Sequence, residues 1–122
     1  MAEPAFRSIA ALARELAEGK TTSRKLVEAA LARIADAGGE GGRAFTKVHA
    51  QGALLAADAS DRFRKEGVVP SALAGLPVSI KDLFDIAGEV TTAGSKILRD
   101  APPATADAVA VARLRADRKS VV

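Results

Sequence analysis

The sequence has no cysteine, tryptophan or tyrosine, and it has one histidine and one methionine in 122 residues. Without cysteine there are no disulfides, no thiolate nucleophile and no cysteine-ligated metal, and the composition fits a cytoplasmic protein. A single histidine, His49, with no cysteine beside it cannot build a zinc site. Aromatic residues make up only 3%. Single-stranded nucleic acids are gripped largely by aromatic stacking, so this scarcity argues against nucleic-acid binding. No basic segment followed by an apolar run opens the chain, and no apolar run reaches membrane-spanning length. Neither a signal peptide nor a membrane span is expected.

The residues present describe a globular chain. Hydrophobic residues are 48% and charged residues 27%, with a net charge of +3. Acidic and basic residues alternate, as in Arg14-Glu15 and Asp61-Arg62, which reads as solvated helix faces and not as a basic stripe. With so few aromatics, the core must be assembled from Ala, Leu, Val and Ile. Each of these buries little area, so a domain of this size would be marginal apart from its neighbours.

Periodicity predicts a helical layer first. A helix is expected from about Ser8 to Glu18, capped by Ser8, with Ile9, Leu12, Ala13 and Leu16 on one face and Gly19 ending it. A second follows Thr21-Thr22-Ser23, with Leu26, Val27, Ala30, Leu31 and Ile34 inward and Gly38-Gly39 beyond it. Ala44 to Val48 reads as a short extended piece. A third helix is expected from Ala50 to Lys65, with Ala56, Ala59 and Phe63 as its buried edge and Gly67 and Pro70 after it. His49 falls at its start.

The texture changes at Leu73. Leu76, Val78 and Ile80 alternate with Pro77, Ser79 and Lys81, the period of a strand. Pro77 sits near the strand's start, where a missing N–H is tolerated. A loop from Gly88 to Gly94 follows. A fourth helix is expected after Pro102-Pro103, with Thr105 as cap, Asp107 in its first turn, and apolar residues on most sides. Helix, strand, loop and helix in this order suggest an α/β protein. The last six residues, Asp117 to Val122, carry no evident helical or strand logic. They are expected to be a non-native tail on a single domain spanning residues 1–116.

Lys81 is the residue of chemical interest. Strand alternation places it with Ser79, opposite Val78 and Ile80, at the C-terminal end of the strand. In open α/β sheets that edge is where ligands bind. A lysine there serves as a solvated charge, an anion ligand or, when buried, a neutral base. Asp82 reads as a cap for the following loop. The Gly-rich stretch Gly38 to Gly42 has no strand leading into it, and a phosphate site is not expected there. No serine lies in a Gly-x-Ser-x-Gly elbow.

Three segments, Gly75-Leu-Pro-Val-Ser-Ile-Lys-Asp82 running on to Gly88, Thr91-Thr-Ala-Gly-Ser-Lys-Ile-Leu98, and Asp107 to Ala116, together resemble the amidase-signature family in order and spacing. The resemblance extends over about residues 6 to 116 and implies the N-terminal part of that fold, a mixed sheet covered by helices on both faces, here with an N-terminal helical layer. It implies amide hydrolysis by a Ser–cis-Ser–Lys triad in which Lys81 is the base, with no metal or organic cofactor. Thr92, Gly94 and Ser95 are expected to line the substrate pocket. The family's Gly/Ser-rich segment, which supplies both serines, has no counterpart in this chain, so the chain alone is expected to be inactive. The expected parent is a stand-alone amidase acting on a small-molecule carboxamide, since Leu83 follows Lys81-Asp82. The alternatives are the A subunit of the glutamyl-tRNA amidotransferase, or a non-catalytic helical interaction module. The oligomeric state is left open.

Overall fold

A computed structural model describes residues 6–122. Four α-helices come first: α1 (Ile9–Ala17), α2 (Ser23–Ala35), α3 (Gly41–Ala44) and α4 (Ala50–Lys65). They are followed by β1 (Pro77–Val78), a 3-10 turn at Lys96–Leu98, α5 (Val109–Ala116) and β2 (Ser120–Val121). The architecture is α/β, mostly helical, with one small sheet. In that sheet β1 and β2 run parallel, Pro77 opposite Ser120 and Val78 opposite Val121. The crossover between them contains α5, as a parallel connection requires. Among the described residues, no helix is long and apolar enough to cross a membrane.

Local chemistry sets the helix ends. The Ser8 hydroxyl accepts a hydrogen bond from the Ala11 N–H at 3.1 Å, and Thr22 does the same for Lys25 at 3.2 Å. These side chains satisfy amides that a helix start leaves without partners. The N-terminus of α2 is held a second time from α4, where the Asp61 carboxylate accepts the Ser23 N–H at 2.8 Å and the Arg24 N–H at 2.9 Å. A carboxylate at that position also complements the positive end of the helix dipole.

The core lies between these helices and the sheet. One cluster joins Val27, Ala53, Ala57 and Val122, with Leu31, Ile34, Phe45 and Leu54 packed around it. A second joins Leu16, Leu26 and Leu76, with Leu12 alongside. The predicted bounds of the third helix match α4, but its buried edge differs: Ala53, Ala57 and Ser60 face inward. Phe63 is displaced outward, where the Arg118 guanidinium lies 3.8 Å from its ring centre. Ile9, placed on the inward stripe of α1 by its spacing, is exposed.

Three further expectations are corrected. Ala44 to Val48 forms no strand, because Gly41–Ala44 closes a short helix instead. The fourth helix begins at Val109 rather than near Thr105, because Asp107 turns away to accept the Ala87 N–H at 2.9 Å. Of its residues only Val111 is buried. Finally, the residues expected to lack strand logic form β2: Ser120, Val121 and Val122 are all buried, and the Ser120 and Val122 amides donate to the Leu76 and Val78 carbonyls at 3.1 Å each.

Gly75 sits where the helical layer meets the sheet. Its φ is +89°, a region open to glycine and strained for other residues. Its carbonyl accepts the Ser23 hydroxyl at 2.5 Å and its N–H donates to the Arg118 carbonyl at 2.9 Å. A Cβ there would lie 3.0 Å from the Ser60 hydroxyl and 3.2 Å from the Ser23 Cβ.

Candidate active site

The strand β1 delivers the chain to a broad, open cavity of about 810 Å³. The predicted strand extends to Lys81, whereas observed pairing stops at Val78, the last position with a β2 partner. Ser79, Ile80, Lys81 and Asp82 continue beyond it as one wall of the cavity. A turn follows at once, in which the Lys81 carbonyl accepts the Leu83 N–H at 2.7 Å and the Phe84 N–H at 3.1 Å. Lys81 is exposed on this wall, and among the described residues no ion pair engages its amine.

Asp82 is directed to the neighbouring loop. Its carboxylate accepts the Thr92 N–H at 3.0 Å and also the Thr92 hydroxyl. The Thr92 hydroxyl is the main reason the Asp82 carboxyl is held below its ordinary value. Burial opposes the effect, and the backbone N–H groups of Thr92, Ala93 and Gly94 add to it. The loop can converge on one carboxylate because Ala93 and Gly94 both adopt positive φ, at 50° and 73°. Successive amides in such a bend form a concave anion cradle.

The predicted pocket residues therefore separate. Thr92 lines the cavity with Lys81; Gly94 and Ser95 do not. Gly94 shapes the bend, and the Ser95 hydroxyl caps the 3-10 turn by accepting the Ile97 N–H at 3.3 Å.

The lining of the same cavity also carries a group that motif spacing does not reveal. Glu89 accepts from the Lys47 amine at 2.8 Å and from His49 Nε2 at 2.5 Å. Burial pushes the Glu89 carboxyl up, but the hydrogen bonds and charges of Lys47 and His49 outweigh it and hold the group below its ordinary value. An ionised carboxylate only accepts, so Nε2 carries the proton in this contact. His49 Nδ1 is buried without a partner among the described residues. Lys47 and His49 lie some forty residues before Glu89, and only the fold brings them together. Among the described residues, no three His, Cys, Asp or Glu side chains gather as metal ligands.

Comparison with known proteins extends over this same segment. The Amidase family model matches residues 25–118. The chain is 50% identical over 101 residues to AtzE, a subunit of the 1-carboxybiuret hydrolase of Pseudomonas sp. (strain ADP), covering 83% of this chain and 22% of that protein. It is 47% identical over 92 residues to the A subunit of the glutamyl-tRNA(Gln) amidotransferase of Myxococcus xanthus (strain DK1622), covering 75% of this chain and 19% of the relative. In structure it is similar to the native peptide amidase of Stenotrophomonas maltophilia, with a TM-score of 0.83 and 33% identity over 97% of this chain and 24% of that one. The chain thus spans roughly a fifth to a quarter of the length of these relatives. Lys81-Asp82 just beyond the end of β1, the Thr92 loop bound to Asp82, and a family match over most of the residues lead to one conclusion: this chain belongs to the amidase family.

Proposed function

We propose that the protein serves the hydrolysis of a small carboxamide, with Lys81 as the base of a Ser–cis-Ser–Lys triad. The observation that carries this reading is the position of Lys81, just past the end of β1 on a cavity wall, in a chain of the amidase family. The two serines belong, by the resemblance, to parts of the amidase fold outside the quarter that this chain spans, and the chain on its own is inactive.

In this mechanism the bridging serine gives its proton to the neutral Lys81 amine and takes one from the nucleophilic serine, whose oxygen attacks the amide carbon. The tetrahedral oxyanion is held by backbone N–H groups of the Gly/Ser-rich segment. As the C–N bond breaks, the proton returns from Lys81 through the bridging serine to the departing nitrogen, and an ester-linked acyl-enzyme remains. Water then frees the acid by the same relay. The base role needs an amine withdrawn from water. Lys81 is exposed on an open cavity in this chain, so the cover is assigned to the rest of the fold. Two of the relatives are named as subunits, which supports a protein that works beside partner chains.

The test is a chimera in which residues 6–116 replace the matching segment of the full-length peptide amidase. Amide turnover by the chimera, lost in its Lys81→Ala variant, is the expected result. Near-unchanged turnover in that variant would exclude Lys81 as the base. A chimera without activity, folded as well as its active parent, would exclude the functional reading of the segment.

A further inference from the structure

We propose that Asp82 is a positioning residue that ties the Thr92–Gly94 loop to the end of β1 and so fixes Thr92 on the cavity wall it shares with Lys81. The carboxylate leaves the chain one residue after Lys81 and takes both the amide and the hydroxyl of Thr92, ten residues on. The two positive φ angles at Ala93 and Gly94 turn the loop's amides toward that one acceptor. The non-glycine residue Ala93 is strained in this region, and such a conformation persists only where its surroundings hold it. No residue from Pro77 to Ala110 is buried, so apolar packing does not hold this loop. Removing the carboxylate therefore releases Thr92 and frees the turn that carries Lys81.

The tether itself stands on geometry alone. Its consequence for catalysis rests on the reading of Lys81 as the base. The other charged groups on the cavity are Lys81, Lys47, His49 and Glu89. Of these, Glu89 also titrates in acid, and a Glu89→Gln background separates its contribution.

The tether is measured on the full 122-residue chain by amide NMR. The Thr92 amide is expected to shift in one step as Asp82 protonates, and to exchange with solvent about tenfold or more slowly than in Asp82→Asn. Asp82→Asn should abolish the step while the amides of α2 and α4 keep their protection. Thr92→Val keeps the amide contact but loses the hydroxyl, and should move the midpoint of the Ala93 and Gly94 steps upward. A wild-type Thr92 amide with neither protection nor a step overturns the proposal, as does a profile unchanged by either substitution. In the chimera, Asp82→Asn should lower kcat with little change in KM. If Lys81→Ala abolishes turnover while Asp82→Asn leaves it intact, the tether has no catalytic role and the base reading stands. If Lys81→Ala retains turnover while the NMR step is present, the base reading fails and the tether survives.

Discussion

The helical layer and the stretch from Ser79 to Ala108 are held by different forces. In the layer, Leu16, Leu26, Val27, Ala53 and Ala57 are buried, and apolar burial fixes the helices. In the later stretch no residue is buried, and the chain is held by carboxylates that reach across loops. Asp82 holds Thr92; Asp85 accepts the Thr91 hydroxyl at 2.7 Å; Asp107 holds the Ala87 amide; Glu89 gathers Lys47 and His49. Backbone bonds between Gly88 and Ala104 and between Ala104 and Glu89, 2.8 Å each, complete the frame. The segment that carries the candidate chemistry is thus a polar scaffold laid on an apolar one. Local stability varies across a fold in this way, and ligand-binding segments draw on its weaker end.

The largest expected effect falls on the polar side and spares the apolar one. Lys81→Ala in the chimera should reduce turnover roughly a thousandfold or more, with an unchanged melting temperature. A variant that melts early would show that Lys81 is structural instead. On the apolar side, Leu16→Ala should cost about 2–5 kcal/mol, since the side chain is 1% exposed in a packed cluster. Ile97→Ala in the later stretch should stay within about 0.5 kcal/mol, because Ile97 is 91% exposed. Denaturant melts of the two variants check the contrast, and similar costs would erase it. Asp61→Ala should cost about 1.5–3 kcal/mol by leaving the Ser23 and Arg24 amides unpaired.

The smallest effect is set by pH. The Asp82 and Glu89 carboxyls lie below their ordinary values in the folded chain. Their contribution is complete above the unfolded-state values, near about 4, and is lost as pH falls through the lower folded-state values. Acid should therefore loosen the stretch from Ser79 to Ala108 before the helices melt. Hydrogen exchange measured from neutral pH downward would show this as early loss of protection at Thr92 and Gly88 while Val27 stays protected. Simultaneous loss would mean that the two regions unfold as one.

The same division explains what is legible in the sequence. Helix α4 is readable to the residue because its period, its flanking Gly67 and its start at Ala50 are all local. The Ser8 cap is readable for the same reason. Periodicity misplaces Phe63 because Arg118, far along the chain, draws the ring outward. It makes the strand overlong because alternation does not reveal where a partner ends. A motif names Lys81 and Thr92, and Asp82 is legible as a cap for the following loop, but which loop residue it holds, Thr92, is fixed only by the fold. The Glu89 cluster joins positions some forty residues apart and leaves no local pattern. Thr105 fails as a helix start because the competing acceptor, Asp107, is needed by Ala87.

Gly75 joins the two regions. The Gly75 carbonyl takes the α2 hydroxyl and its N–H reaches the residues before β2, and a methyl group there would press on the Ser60 and Ser23 side chains. Any side chain at this hinge pin would act as a wedge, parting the apolar half from the polar half and shifting Lys81, a short way down the chain, without touching it.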